Sequence, residues 1–229
     1  MIKSNRIIVN NRKYSYSYSI LLFCNTTKRF ICIRKKITYG FLRILYANYL
    51  SYELDNLIND LKYDEANELL KSEDDYEYFK LIIDKNNVKI NLETMKVSYD
   101  KFKLYDGFIK LKEKTDYKLK DEYGLPKGIR DGTEDKLKCA IREFEEETTL
   151  NLDNCTLNED VKLIVEFSSE DNKINISTFY TYITNEEKQL NDMTLNNEVE
   201  EVYWISLDDF KKDCKKSFLN CIDDIKLLY

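Results

Sequence analysis

The residues that free or restrict the backbone are concentrated in one short segment of this chain. The sequence has only five glycines and one proline in 229 residues, yet Gly124, Pro126, Gly128 and Gly132 lie within nine residues of one another. Glycine permits tight turns and the close approach of a ligand to the backbone, so this segment predicts a specialised turn. The residues that follow have the hydrophobic spacing of a helix.

The helix after this turn combines an apolar stripe with an acidic one. The apolar stripe follows positions i, i+3, i+4 and i+7 and predicts a core-facing side: Leu137, Ala140, Ile141 and Phe144. Glu143, Glu146 and Glu147 fall together on a different side. Each like-charged pair costs about 0.2–0.5 kcal/mol, and the negative end of the helix dipole adds to that cost. A bound cation would offset this repulsion, and an oxygen-only donor set favours Mg²⁺ or Mn²⁺.

Composition narrows the available chemistry further. Histidine is absent, which excludes Ser-His-Asp triads, Cys-His dyads and histidine-based zinc sites. The six cysteines include no C-x-x-C pair and are expected to be reduced, inert residues of an intracellular protein. The net charge of −6 argues against a wholly basic nucleic-acid-binding protein. No apolar run is long enough to span a membrane and the first residues are too polar for a signal peptide, so we expect a cytoplasmic protein with no membrane span.

The spacing of the turn and helix residues resembles the signature of the Nudix family, G-x5-E-x7-R-E-U-x-E-E-x-G-U, where U is apolar. The matching residues are Gly128, Glu134, Arg142, Glu143, Phe144, Glu146, Glu147 and Leu150. Thr149 stands where the family has glycine. A left-handed helix end strains a β-branched residue, so we expect this helix to end in a different conformation.

The resemblance implies a role for each matching residue. Four glutamates and a backbone carbonyl are the implied metal ligands: Glu143, Glu146, Glu147, Glu134 and Gly128. Glu143 is also the implied catalytic carboxylate, and Arg142 orients the cluster by pairing with Glu134.

A second match lies at residues 197–210, where the family often has E-x-x-x-x-x-W-x-S in a late strand. By this match Glu198 is the candidate general base that takes a proton from the attacking water. Glu200 and Glu201 remain alternatives, and Trp204 is expected to be a packing residue.

Hydrophobic patterns along the chain predict a mixed α/β domain with an insertion. Strand patterns occur at 14–24, 29–34, 162–167, 174–183 and 200–206. Helical patterns occur at 50–61, 64–71, 76–83, 208–214 and 219–228. Residues 86–120 are ambiguous, with a strand-like fragment at 88–92. We therefore predict an α+β fold, an α/β/α sandwich of the Nudix type formed by 1–36 and 123–229, with a mostly helical insertion at 37–122.

Two features narrow the implied substrate. The stretch LPKG…KLKCAIREFEEET is similar to the mRNA-decapping Nudix proteins of large DNA viruses, of the African swine fever virus type and, more distantly, of poxviruses. Those proteins also carry a mostly helical insertion between the first hairpin and the Nudix box. The resemblance implies hydrolysis of the mRNA cap to 7-methyl-GDP and 5′-monophosphate RNA, in the host cytoplasm if the protein is viral. The alternatives are a hydrolase of diphosphoinositol or dinucleotide polyphosphates, and a non-catalytic RNA-binding Nudix module.

Capped RNA needs a surface for its phosphates, and residues 101–120 offer a candidate. This stretch holds seven lysines against three acidic residues, interleaved with aromatic residues that offer stacking surfaces: Phe102, Tyr105, Phe108 and Tyr117. Arg34, Lys35 and Lys36 would extend this patch. The candidate substrate-binding residues are Lys110, Lys112, Lys114, Arg34, Lys127 and Arg130. Nothing in the sequence indicates an obligate protein partner.

Overall fold

The chain divides into two compact units in the computed structural model, which describes residues 6–9, 12–117, 122–168, 173–190, 198–214 and 225. One unit consists of Met1–Arg34 and Glu122–Tyr229, and the other of Lys35–Asp121. Among the described helices of both units, none combines the length and the apolar character that crossing a membrane requires.

Over its described residues, the second unit is helical. It consists of a 3₁₀ turn at Ser51–Glu53 and six α-helices: α1 (Tyr39–Leu45), α2 (Leu54–Asp60), α3 (Tyr63–Lys71), α4 (Tyr76–Lys85), α5 (Leu92–Leu104) and α6 (Gly107–Glu113). Side chains of Thr38, Asp75 and Asn91 accept backbone N–H bonds at the starts of α1, α4 and α5, which explains where these helices begin. Their apolar sides form one core, in which Phe79 and Phe102 are fully buried.

Two details of this helical unit differ from the sequence prediction. The strand-like fragment at 88–92 is wrong, because residues 88–91 form a loop and Leu92 begins α5. Val88 and Ile90 are apolar because they pack onto the helical core. Sequence periodicity does not identify α1, since seven residues cover only about two helical turns.

Over its described residues, the first unit is built on a seven-stranded mixed sheet. Its strands are β1 (Arg6–Val9), β2 (Arg12–Cys24), β3 (Arg29–Lys35), β4 (Lys127–Gly128), β5 (Thr156–Ser168), β6 (Lys173–Thr184) and β7 (Val199–Ser206). The main path through the sheet is β5-β6-β2-β3-β7. Strand β6 pairs in parallel with β2 from Lys13 to Cys24. The strands β1, β4 and β3 therefore follow one another along the other edge of β2.

Alternation along the strands divides the core of this unit into two layers. In β2, Ile20 and Leu22 face the helix α7 (Lys136–Thr148), whereas Leu21 and Phe23 face the layer that contains α8 (Leu207–Asp213). Phe144 of α7 and Phe210 of α8 are fully buried in these two layers. This helix–sheet–helix arrangement confirms the predicted fold class. The helix predicted at 219–228 lies outside the described residues, apart from residue 225.

Candidate functional site

The glycine-rich turn and α7 meet at Gly128 and Glu143. Gly128 pairs with Tyr18 of β2, and a Cβ atom at Gly128 would lie 1.9 Å from Glu143 Cδ and 2.0 Å from its Oε2. Glycine is required here because the carboxylate fills the space of a side chain. The prediction that these glycines serve a specialised turn holds for Gly132, which has φ 55°. It needs correction for Gly128, which accommodates Glu143, and for Gly124, which pairs with Ile33 of β3.

One arginine connects three of the predicted glutamates. Arg142 Nε and Nη2 donate to the two carboxylate oxygens of Glu134, each at 3.0 Å. Its Nη1 donates to Glu143 Oε1 at 2.7 Å and to Glu146 Oε2 at 3.2 Å. This bonding raises the pKa of Arg142 and lowers the pKa of Glu134. Because Nη2 also donates to the Ile129 carbonyl at 3.2 Å, Arg142 draws the turn and the carboxylates together.

Glu147 is the most buried of the three helix glutamates. The residue is 3% exposed, whereas the side chains of Glu143 and Glu146 are 16% and 55% exposed. Its Oε2 accepts a hydrogen bond from the Lys127 N–H at 3.1 Å. This bond ties α7 to β4, so Glu147 is fixed more firmly than Glu146.

The donor chemistry fits a divalent cation, although the carboxylates do not converge on one point in this structure. Carboxylate and carbonyl oxygens are the donors that Mg²⁺ and Mn²⁺ prefer. Among the described residues, no three acidic or cysteine side chains surround a common metal position. Arg142 holds oxygens of Glu143 and Glu146, and the Lys127 N–H holds one of Glu147. A cation would have to replace such bonds to gather these oxygens.

Lys127 and Arg130 flank Gly128 in the same turn, and both are half-buried. Arg130 Nε donates to the Glu134 carbonyl at 2.5 Å, and the Glu134 carboxylate accepts from the Asp131 N–H at 3.2 Å. These bonds brace the turn and hold Arg130 beside Glu134. Since the Lys127 N–H bonds to Glu147, both predicted substrate-binding residues lie beside the carboxylates.

Alternation along β7 separates the three candidate general bases. Trp204 is buried in the core layer beneath α7, as predicted for a packing residue, whereas Tyr203 packs on the opposite layer. Since strand residues alternate between faces, Glu200 lies on the α7 side of the sheet and Glu201 on the other side. Glu198 is exposed and immediately precedes β7.

Glu201 belongs to a cluster around Arg34. Arg34 Nη2 donates to Asp213 Oδ2 at 2.6 Å, and its Nε lies 3.7 Å from Glu201 Oε2. The guanidinium stacks 4.0 Å from the centroid of the Tyr123 ring, and Arg34 is buried. The prediction that Arg34 extends an exposed phosphate-binding patch is therefore wrong, because these partners hold it inside the fold.

Several lysines of the helical unit form ion pairs within that unit. Four lysines from 101–117 each lie within 4 Å of a carboxylate: Lys103 with Asp74, Lys110 with Asp55, Lys112 with Glu73, and Lys114 with Asp116. The positive charge counted along this stretch is therefore neutralised largely by residues distant in sequence. Lys118 and Lys120 lie outside the described residues.

Two of the four aromatic residues of the same stretch are not available for stacking. Phe102 and Phe108 are buried in the helical core, so the prediction that they offer stacking surfaces is wrong. Their spacing reflects the packing of α5 and α6 on the other helices. Tyr105 and Tyr117 are half-buried, and the Tyr117 hydroxyl donates to the Leu111 carbonyl at 2.6 Å.

Helix α7 ends at Thr149 in the left-handed conformation, with φ 57° and ψ 9°. The expectation that threonine would change this end is wrong. The Thr149 N–H donates to the Glu145 carbonyl at 2.8 Å. Thr148 Oγ1 donates to the Phe144 carbonyl at 2.6 Å and accepts from the Leu150 N–H at 3.2 Å. These bonds and the burial of Leu150 hold the turn against the strain at Thr149.

The turn, α7 and the sheet that carries them define the class of protein. A family model described as the NUDIX domain matches residues 106–221, just over half of the chain. The chain therefore belongs to the Nudix family, whose hydrolases act on phosphoanhydride bonds and generally use divalent metals. The match begins after the first hairpin, which the structure places in the same sheet as the matched strands.

Several solved structures are similar to this chain at low sequence identity. An Ap4A hydrolase from C. elegans has a TM-score of 0.48 and 12% identity, over 93% of this chain and 95% of its own. A MutT protein from Methanosarcina mazei Go1 has a TM-score of 0.45 and 13% identity, over 94% and 92%. An E. coli dihydroneopterin triphosphate pyrophosphohydrolase has a TM-score of 0.44 and 11% identity, over 93% and 92%. No curated protein matches the sequence.

Proposed function

We propose that this chain is a divalent-metal-dependent pyrophosphohydrolase. The observation that carries the proposal is the group of Glu143, Glu146 and Glu147 on α7, packed against the turn at Gly128. Mg²⁺ or Mn²⁺ held by these carboxylates would neutralise charge on the phosphoanhydride and acidify the attacking water. The family match and the oxygen-only donor set both support this assignment.

The chain's own residues have separate tasks in this proposal. Arg142 positions Glu134, Glu143 and Glu146 through its three donor nitrogens. Glu200, on the α7 side of the sheet, or Glu198, immediately before β7, accepts the proton from the attacking water.

A comparison of three variants identifies the base. We expect Glu198→Gln or Glu200→Gln to lower kcat by about 10²-fold without changing thermal stability. Glu201→Gln is the matched control and should lower stability instead, because it removes a carboxylate beside the buried Arg34. Loss of kcat in Glu201→Gln alone, at unchanged stability, would contradict this assignment.

The substrate we propose is capped RNA, hydrolysed to 7-methyl-GDP and 5′-monophosphate RNA. Support comes from the similarity of the LPKG…KLKCAIREFEEET stretch to viral decapping Nudix proteins, and from the separate helical unit between β3 and the turn. The RNA body would contact Lys110, Lys112 and Lys114. Exposed ion pairs contribute only about 0–1 kcal/mol, so an RNA phosphate can replace the Glu73 partner of the exposed Lys112 at little cost.

The deciding assay uses cap-labelled RNA with Mn²⁺, and compares the wild type with Glu147→Gln. Release of labelled 7-methyl-GDP by the wild type alone is the expected result. Parallel reactions contain a diphosphoinositol polyphosphate and a dinucleotide polyphosphate, and turnover of only these would overturn the RNA substrate. Binding of RNA with no hydrolysis of any of them would overturn the enzymatic proposal in favour of an RNA-binding module.

The contribution of the helical unit is measured by the salt dependence of RNA binding. Removing one lysine that binds a phosphate of single-stranded RNA should reduce the slope of log affinity against log salt by about 0.7. Replacing Lys110, Lys112 and Lys114 together by Gln should therefore flatten the slope, and an unchanged slope would exclude these lysines from the RNA-binding surface.

A further inference from the structure

The α7 side of the sheet continues beyond the Gly128–Glu143 contact as two rows of paired residues. One row crosses four strands and consists of Gly128, Tyr18, Thr178 and Ile164. The next row lies two residues further along each strand and consists of Tyr16, Ile176 and Glu166. Paired residues on neighbouring strands face the same side. Since Tyr18 packs in the layer beneath α7, both rows lie on the α7 side.

The second row has an aromatic end, an apolar middle and an acidic end. Tyr16 and Ile176 are half-buried, and Glu166 is exposed. Ile164, the β5 member of the first row, is a large apolar side chain that is 60% exposed. Small-molecule sites combine apolar and aromatic side chains with a few polar groups that fix the orientation of the ligand, and this row has that composition.

We propose that Tyr16, Ile176 and Glu166 form the subsite for a guanine base, an inference that rests on the proposed hydrolysis of capped RNA. The Tyr16 ring offers a π-face for stacking, and it binds a positively charged ring such as 7-methylguanine more strongly. The Glu166 carboxylate is an acceptor only. It suits guanine, whose N1–H and exocyclic amine both donate, and it disfavours adenine, whose N1 accepts.

The spacing of the strands suits a nucleoside diphosphate. Tyr16 and Glu166 are two strands apart, so their Cα atoms are separated by about 10 Å, which leaves room for a purine between the side chains. Gly128 lies on the opposite edge of β2, one row further along. A base in the subsite therefore directs its phosphates towards Gly128 and Glu143, and keeps them away from the Glu166 carboxylate.

Equilibrium binding of 7-methyl-GDP, GDP and ADP tests the subsite, measured by NMR titration with all metal chelated. The three probes share the diphosphate, so differences among them report the base. We expect the wild type to bind GDP more tightly than ADP. Glu166→Gln should lower the GDP affinity about tenfold and leave the ADP affinity unchanged. Glu159→Gln is the matched control, because Glu159 is an exposed carboxylate on the same strand, and it should bind like the wild type.

The stacking contribution is tested at Tyr16. Tyr16→Leu should weaken binding about fivefold or more, with the largest loss for 7-methyl-GDP, and Tyr16→Phe should restore it because the ring is retained. Thermal unfolding confirms that each variant is folded. Equal wild-type affinities for GDP and ADP, or a Glu166→Gln variant equal to the wild type, would overturn the proposal.

These measurements separate the subsite from the proposed function, because they need neither metal nor turnover. Guanine-selective binding without hydrolysis of capped RNA would support the subsite and contradict the proposed function. Hydrolysis of capped RNA by Glu166→Gln at the wild-type KM would contradict the subsite and leave the proposed function intact.

Discussion

The two units of the chain differ in how their charged side chains are paired. In the helical unit, Lys103, Lys110 and Lys112 each lie beside a carboxylate of their own. At the other unit's site, Glu134 before α7 and Glu143 and Glu146 on α7 share the guanidinium of Arg142, and this group of four side chains is therefore net negative. One-to-one exposed pairs are ordinary surface features of small energetic value, whereas clustered carboxylates are typical of a cation site. Charge counted along a sequence therefore does not locate a binding site, because the spatial partners decide what charge remains.

Substituting one glycine in each unit should give the largest difference between the acidic site and the helical unit. A methyl group at Gly128 would displace the Glu143 carboxylate, which lies about 2 Å from the Cβ position, so Gly128→Ala should lower kcat about 10²-fold. In the helical unit, a Cβ at Gly107 would lie 2.6 Å from the Phe102 ring. Gly107→Ala should therefore lower the unfolding free energy by about 1–3 kcal/mol and leave kcat on a cap dinucleotide unchanged. Similar losses of kcat in both variants would remove the distinction between the units.

Arginine and lysine substitutions test the contrast in stability. Arg142→Gln leaves Glu134, Glu143 and Glu146 close together without the shared cation, and should lower the unfolding free energy by about 1–3 kcal/mol. Lys112→Gln breaks one exposed pair and should cost no more than about 0.5 kcal/mol. Urea unfolding of the two variants measures the difference, and equal values would show that the α7 cluster is an ordinary surface network.

Left-handed residues provide a smaller test. Thr149→Gly should raise the unfolding free energy by about 1 kcal/mol, because glycine removes the strain of a β-branched residue at φ 57°. Asn87→Gly, at φ 53° in the helical unit, should give a smaller gain, since asparagine tolerates this conformation. Turnover of Thr149→Gly should stay within about tenfold of the wild type, a barrier change of about 1.4 kcal/mol. A larger loss would show that the helix end itself contributes to catalysis.

The pH dependence of stability gives the smallest effect, with opposite signs in the two units. The hydrogen bond from Arg142 lowers the pKa of Glu134 below 4.5, so its stabilisation is present above pH 4.5 and is lost as the pH falls through the folded-state pKa. Burial raises the pKa of Glu65 above 4.5, so its contribution is greatest at low pH and declines as the pH rises through the raised value. Unfolding free energies of Glu134→Gln and Glu65→Gln, relative to the wild type, should change with pH in opposite directions. Parallel profiles would contradict this assignment.

The sequence predicts regular elements well where one period persists for several residues. The strands at 14–24 and 29–34 and the acidic helix agree with β2, β3 and α7 to within a few residues. The spacing of the Nudix signature identifies the family because its residues are fixed relative to one helix and one turn. Short elements such as α1 escape detection, since seven residues carry little periodic signal.

Predictions that depend on partners distant in sequence are less successful. Arg34 has the composition of a surface patch beside Lys35 and Lys36, but Asp213 and Tyr123 enclose it from far along the chain. The row of Tyr16, Ile176 and Glu166 likewise exists only through the register of three strands. Of these three residues, only Tyr16 belongs to a pattern visible in the sequence, the alternating tyrosines of β2. Spatial clusters of this kind require the topology, which local patterns do not specify.

The pairing of β2 has a consequence for how the chain is made. Ser15 bonds to Asn175, 160 positions later, and Ser19 bonds to the Pro126 carbonyl, 107 positions later. During synthesis, β2 emerges before the strands that pair with it. The helical unit can form its internal contacts while the long apolar half of β2 still lacks its partners β4 and β6. Contacts of such sequence separation form slowly, and an incomplete sheet exposes strand edges that pair with other chains. The nascent protein therefore passes through an interval in which the unpaired edges of β2 are open to aggregation.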